Sequence, residues 1–246
     1  MTQLSGQDKA RFIGEMFGRI APRYDLLNTV MTGGMHHRWR DITAKLATHE
    51  HDQSDSEVPA LDVGTGTGDL ALNLAHRLGS AMVVARDFAI PMLGIALSKA
   101  KSKGFGKLVA FLAGDALVLP FGNDTFLCAT CGFALRNVTD VRQALAEMTR
   151  VVRPGGRVVI LEITPVRSTN PFATLFRFYF RNIVPLLGKY IAGDHRAYSY
   201  LPDSVEGFID ADVLAKLMEE VGLHQVHYQL VGFGSVAIHM GQKAVP

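Results

Sequence analysis

A chain of 246 residues, 48% of them hydrophobic, is long enough for one α/β domain with embellishments and a sizeable core. Its formal net charge of +2 is too small to argue for nucleic acid. The longest uncharged stretches are short or broken by Gly and Pro, so no apolar run of about 18 residues can be drawn as a membrane span.

In chain order, "MTQLSGQDKARF" puts charges where a signal peptide needs its apolar core, which reads as a soluble, cytoplasmic protein. Residues 1–50 read as a helical N-terminal cap, with Trp39, between Arg38 and Arg40, as a packing anchor. The polar stretch "THEHDQSDSE" at 48–57 separates this piece from a core at 57–164. The core alternates: strand 58–63, helix 68–79, strand 81–86, helix 90–103, strands 108–114 and 125–130, helix 139–152 and strand 156–163. Such alternation implies a parallel sheet covered on both faces. The basic run "SKAKSKGFGK" at 98–107 falls at a helix end, where cations complement the helix dipole. Cys128 and Cys131 lie inside the apolar run "FLCATCGFAL" and read as small core residues. A break rich in aromatics and prolines, 164–205, is left without assigned elements, and 165–205 is expected to form a lid over a substrate. A helix at 210–221 and a hairpin of strands 225–231 and 234–240 close a single domain, 206–246 being its C-terminal unit.

The stretch "ALDVGTGTGDLA" at 60–71 sits where the first strand turns into the first helix. Glycines there let the backbone approach a ligand closely, since no Cβ intervenes. The spacing is G-x-G-x-G rather than the dinucleotide pattern G-x-G-x-x-G. Asp62 and Asp69 would repel a pyrophosphate and suit a ligand carrying an ammonium and a sulfonium. The chain thereby resembles the class I methyltransferases, which bind S-adenosylmethionine on a Rossmann-like, seven-stranded, mainly parallel sheet with an antiparallel terminal strand and helices on both faces. The resemblance implies cofactor contacts from Asp62 and from Gly64, Thr65, Gly66, Thr67 and Gly68 in the loop. It further implies ribose binding by Asp87, with Phe88 beside it, and adenine binding by Asp115, with Ala116. A carboxylate at Asp87 is apt because two vicinal hydroxyls can donate to its two oxygens.

Four stretches are similar to the menaquinone and ubiquinone biosynthesis C-methyltransferases: "MFGRIAPRYDLLNTVMTGGMHHRWR" at 16–40, "LDVGTGTGDLA" at 61–71, "GFALRNVTDVRQALAEMTRVVRPGGRVVILEI" at 132–163 and "PLLGKYIAGDHRAYSYLPDSV" at 185–205. The chain departs from that pattern at Gly18 and Leu127, where the family usually has aspartates, and at Ala134, where it often has glycine. The resemblance implies C-methylation of a prenylated quinol, most simply demethylmenaquinol to menaquinol. Another small aromatic or lipid acceptor, a non-catalytic relative and a nicotinamide oxidoreductase are the alternatives, the last requiring the other glycine spacing.

Methylating an aromatic carbon needs electron density, which a quinol supplies best as a phenolate. Arg136 suits the oxyanion because a guanidinium stays charged. Asn137 can orient the ring oxygen or a water, and Tyr24 can contact the same oxygen or the sulfonium. Asp25 can position Arg136 or accept the proton, and His195 is a rival base. Structural roles stay open for all of these: Tyr24 and Asp25 as helix staples, Arg136 and Asn137 as strand-end and N-cap groups. Tyr198 and Tyr200 are read as pocket lining. No histidine pairs with acids at ligand spacing, so no metal is expected. The basic, aromatic segment 171–193 leaves peripheral membrane contact open, and a homodimer stays open as well.

Overall fold

A computed structural model of the chain describes residues 7–48, 57–166, 173–188 and 195–245, with the side chains of 7–11, 173 and 195–199 left out. The linker expected at 48–57 lies almost wholly outside the described residues. Three helices come first: α1 Gln7–Ile20, α2 Tyr24–Thr32 and α3 Met35–Ala47. Gly33 and Gly34, with φ of 56° and 79°, make the tight turn between α2 and α3. Then follow β1 Ala60–Val63, α4 Asp69–Leu78, β2 Val83–Asp87, α5 Ile90–Ser102, β3 Val109–Ala113, β4 Phe126–Gly132, α6 Val141–Val151 and β5 Val152–Ile163. Asp140 caps α6 by accepting from the Gln143 N–H at 2.9 Å, so the cap is not Asn137. β5 starts four residues earlier than expected, because Phe126 pairs with Val152 before an irregularity restores the Cys128–Arg157 register.

The strand order is β3-β2-β1-β4-β5-β7-β6, with β6 Leu223–Val231 and β7 Val236–Lys243. β7 runs antiparallel to both of its neighbours, and the other pairs are parallel. This is the expected sheet, with the final hairpin folding its last strand in between β5 and β6. Side chains alternate across the sheet with period two: Val159 and Leu161 join one core with α3 and α4, while Val158 and Ile160 join another with α6 and α10 Ala211–Glu220. Cys128 and Cys131 are buried, unbonded thiols split between these cores.

The region left without elements contains helices. α7 Ala173–Phe178 runs through a π-helical stretch, Tyr179–Ile183, into α8 Val184–Leu187, and α9 spans His195–Glu206. Two of the prolines in this region lie within these helices. Pro185 sits in the first turn of α8, where its missing N–H costs little, whereas Pro202 lies inside α9. Met16 and Ile20 of α1, Leu27 of α2 and Val184 of α8 form a separate small core, so these helices pack on one another over the carboxyl ends of the strands.

The three departures have packing explanations. A Cβ on Gly18 would lie 3.2 Å from Pro91 of α5, so the glycine lets α1 lie close to it. Leu127 is buried in the core. Any Cβ on Gly64 would run into the Ala134 methyl, so these two positions constrain each other.

Candidate active site

Strand order reverses between β1 and β4, which opens a crevice at their carboxyl ends. Three adjoining cavities lie there, of about 130, 20 and 240 Å³.

The 130 Å³ cavity is lined by Gly64, Gly66, Asp87, Phe88, Asp115 and Ala116, so the expected ribose and adenine groups come together. Asp87 Oδ2 accepts the Gly66 N–H at 2.7 Å and Oδ1 the Ala89 N–H at 2.8 Å, and burial pushes its pKa above the ordinary carboxylate value. Each oxygen keeps a second lone pair for a ribose hydroxyl. Gly66 has φ of 56° and nothing within 4 Å of where a Cβ would stand. Gly66→Val would therefore strain the loop and fill the ligand's space, and calorimetry should find S-adenosylmethionine binding reduced at least about tenfold while the protein stays folded.

Gly68 belongs to the fold rather than the cavities. Its φ is 84°, a Cβ there would sit 2.9 Å from Ala96 of α5, and it lines none of the three. Arg86 was missed. Its guanidinium lies across Gly114, where no Cβ could be accommodated, and faces the Phe121 ring with Cζ 5.6 Å from the centroid. It lines the 130 Å³ cavity, where burial lowers its pKa and nearby Asp115 opposes that shift.

The 20 Å³ cavity, bounded by Tyr24, Arg40, Asp62, Thr65 and Thr67, has room for one water-sized group. Asp62 is fully buried, with Oδ1 accepting from Thr130 Oγ1 at 2.6 Å, the Thr65 hydroxyl nearby favouring its charged form, and Oδ2 without a well-formed hydrogen bond among the described residues. Burial pushes its pKa up to about 6. A lone buried acceptor invites a cation, and the ammonium of a methionine end fits it. Ionising Asp62 costs the free fold stability as pH rises from about 4 to 6, and a bound ammonium would reverse that preference. Cofactor affinity should thus be flat above pH 7 and fall below pH 6 by up to about tenfold per unit, and Asp62→Asn should abolish this slope in calorimetric titrations. Asp69 is spoken for: it bonds Lys99 at 2.6 Å and Arg40 at 3.2 Å, and despite burial these cations lower its pKa.

The 240 Å³ cavity is mostly apolar, with Met16, Met31, Trp39, Phe176, Tyr179 and Phe180 in its wall and Arg136 among them. Trp39 thus does more than pack. Phe17, Tyr24 and Phe133 line this cavity and the 130 Å³ one alike, so the two meet at these rings. Arg136 and Asn137 share a 3₁₀ turn, Leu135–Asn137, and line different cavities, Arg136 the 240 Å³ one and Asn137 the 130 Å³ one. Arg136 Nη1 donates to Glu162 Oε1 at 2.7 Å and to the Phe133 carbonyl at 2.6 Å, while its Nε is buried without a partner among the described residues. Burial works against its charge, yet Glu162 holds its pKa above the ordinary arginine value. Phe133 reaches its position with φ of 59°, a strained conformation for a residue with a side chain. Tyr200 donates to Asn137 Oδ1 at 3.2 Å.

Asp25 is placed elsewhere than expected. Its Oδ1 accepts from Thr67 Oγ1 at 2.6 Å and its Oδ2 from Lys99 Nζ at 2.7 Å. It therefore ties α2 to the glycine loop, and Arg136 is positioned by Glu162 instead. Glu162 could have been noticed as the one acid inside "VVILEI". The side chains of His195 and Tyr198 lie outside the described residues.

Comparison with known proteins agrees with this geometry. The model of the ubiE/COQ5 methyltransferase family matches residues 2–243. A demethylmenaquinone methyltransferase of Thermus thermophilus is 44% identical over 228 residues, which cover 93% of this chain and all of that one. A ubiquinone/menaquinone biosynthesis C-methyltransferase UbiE of Legionella pneumophila is 36% identical over 240 residues, 96% of this chain and 92% of that one. The crystal structure of the cyclase SpnF superposes with a TM-score of 0.63 at 17% identity, covering 95% of this chain and 96% of that one, a likeness of fold alone.

Proposed function

We propose, from the premise that the chain belongs to the ubiE/COQ5 methyltransferase family, that it methylates a ring carbon of demethylmenaquinol to give menaquinol. The cofactor is S-adenosylmethionine, which supplies an electrophilic methyl group on a sulfonium. The observation that carries the acceptor is the large apolar cavity with one buried arginine, meeting the cofactor cavity at Phe17, Tyr24 and Phe133. An apolar prenylated ring fits such a wall, and Arg136 is the group to stabilise the oxygen that must lose its proton.

In this reading Asp62 takes the ammonium, Gly64 to Thr67 admit the methionine chain, Asp87 the ribose and Asp115 the adenine, with Phe88 and Ala116 flanking the base. Arg136 would draw the quinol hydroxyl toward its phenolate through the donors that Glu162 and Phe133 do not use, the proton passing to solvent; the ring carbon then takes the methyl, S-adenosylhomocysteine leaves, and loss of the ring proton to solvent restores the aromatic quinol. Asn137, held by Tyr200, and the Tyr24 hydroxyl orient the ring beside the methyl donor. Asp25 acts as a positioning residue, since both its oxygens are engaged. Closely apposed aromatic walls exclude water, which would otherwise compete for the methyl group.

The relatives' names include both quinones, so the acceptor needs its own test. Quinones extracted from a cell lacking this protein should show accumulated demethylmenaquinone. Accumulation of a demethylated benzoquinone alone would move the assignment to the ubiquinone branch, and unchanged quinones would refute both.

A prenylated acceptor has to be collected from a bilayer. No helix among the described residues is long and apolar enough to cross one. The run α7 to α8 lines the acceptor cavity with Phe176, Tyr179 and Phe180 and leaves Leu175, Phe178 and Leu186 exposed at 64, 59 and 48%. This outward apolar face supports peripheral contact with the membrane surface. Replacing Leu175 and Phe178 by aspartate should reduce co-sedimentation with vesicles of mixed anionic and neutral lipids several-fold while thermal unfolding stays put.

A further inference from the structure

We propose that Asn28, on α2, holds the second hydroxyl of the quinol, so that the acceptor is gripped at both ring oxygens and its unsubstituted carbon is turned to the methyl donor. This rests on the quinol reading of the 240 Å³ cavity and adds to it the residue that sets the orientation of the ring.

A hydroquinone carries two hydroxyls, para to each other. Arg136 takes the one beside the carbon to be methylated. The other has to meet a polar group in a mostly apolar wall, since a hydroxyl buried without a partner is costly. Most polar atoms of that wall are already engaged. Tyr179 donates to the Met31 carbonyl at 3.0 Å and Tyr200 to Asn137 Oδ1 at 3.2 Å. Ser235 Oγ donates to the Gly232 carbonyl at 2.7 Å, and Thr32 Oγ1 to the Asn28 carbonyl at 2.7 Å. Both ring nitrogens of His36 are occupied, one by Thr29 Oγ1 at 3.2 Å and the other by Arg40.

Among the described residues this leaves, beside Arg136, the Tyr24 hydroxyl, the Trp39 indole N–H and the Asn28 amide. Tyr24 acts on the charge of Arg136 and so stands by the first oxygen, and an indole N–H can only donate. The Asn28 side chain is half-buried and makes no hydrogen bond among the described residues. It can accept the hydroxyl proton at Oδ1 or donate to the oxygen from Nδ2. The spacing suits the ligand as well. Tyr24 and Asn28 stand one turn apart on one face of α2, and the rise of about 5.4 Å per turn is close to the span between the para oxygens of a hydroquinone. With both oxygens fixed, the ring cannot turn about its contact with Arg136, which keeps the reacting carbon in line with the methyl group.

The test removes one hydroxyl from the acceptor and the amide from the protein. A short-tailed demethylmenaquinol is compared with 3-prenyl-1-naphthol, which keeps the hydroxyl beside the carbon to be methylated and lacks the other, on the full chain and on Asn28→Ala. Comparing the two proteins on each acceptor cancels the intrinsic reactivity of the rings. Asn28→Ala should lower kcat/KM for the diol about tenfold and for the naphthol by less than about twofold, with S-adenosylmethionine affinity close to the parent's. Equal losses on both acceptors, or no loss on the diol, would overturn the proposal alone. The unaltered chain gives a second reading that needs no variant: with S-adenosylhomocysteine bound, calorimetry should find the diol held about fivefold or more tighter than the naphthol. Equal affinities would also overturn it. An unaltered chain that binds S-adenosylhomocysteine yet holds neither acceptor would overturn the quinol reading and this proposal together.

Discussion

Arg136→Ala is expected to lower kcat for methyl transfer by about 100-fold or more while S-adenosylmethionine affinity stays close to that of the parent. The split follows from where the side chain sits. Arg136 lines the 240 Å³ cavity and not the 130 Å³ one, and its Nε is a buried donor without a partner among the described residues. A donor of that kind gains most when negative charge develops beside it, so its loss falls on the transition state rather than on cofactor binding. Arg136→Lys keeps the charge and loses the fork, so it should restore only part of the rate. Without the guanidinium the quinol hydroxyl ionises less readily, and the residual rate of Arg136→Ala should keep rising to higher pH than the parent's. Steady-state kinetics with calorimetry on the same preparations would check both halves.

Glu162→Ala should be the most destabilising single change in the site, costing about 3–5 kcal/mol. Glu162 is 1% exposed and accepts from Arg136 twice, at Nη1 and at the backbone N–H. Removing it strands a buried guanidinium, which is far costlier than never having buried the pair. Thermal unfolding should drop by roughly 10 °C for a chain of this size. The double variant Arg136→Met, Glu162→Leu should unfold well above the sum of the single losses, because the pair is replaced by apolar groups of similar shape. Glu162→Gln should stay folded yet lower kcat, since its amide oxygen can still accept from the Ile163 N–H and Arg136 Nη1, while its NH2 must face the Arg136 backbone N–H and the charge that holds the guanidinium is gone.

The sequence carried the sheet well. Three glycines at alternate positions after a buried strand, and acids at the ends of the next two strands, are local patterns with local causes. Asp87 and Asp115 accordingly stand in one cavity with Gly64 and Gly66. Gly68 looks the same in the sequence, but contact with Ala96, some thirty residues on, decides its role. Pairings of that range are what local pattern cannot show. Asp25 meets Lys99 and Thr67, Arg136 meets Glu162, and Arg86 lies across Gly114 because the fold brings distant segments together. The helices at 173–187 and 195–206 were hidden for another reason: prolines usually end helices, yet Pro185 falls in the first turn of α8, where its missing N–H costs little, and Pro202 is carried inside α9.

The proposed reaction is methylation of a prenylated quinol on carbon in a cavity built around Arg136. It is tested most directly by incubating the purified chain with methyl-labelled S-adenosylmethionine and demethylmenaquinol in detergent micelles, then locating the label by mass spectrometry. Label on the quinol ring carbon, lost about 100-fold with Arg136→Ala, is the predicted result. Label on oxygen, no transfer by a chain that binds the cofactor, or an undiminished rate in the variant would contradict it.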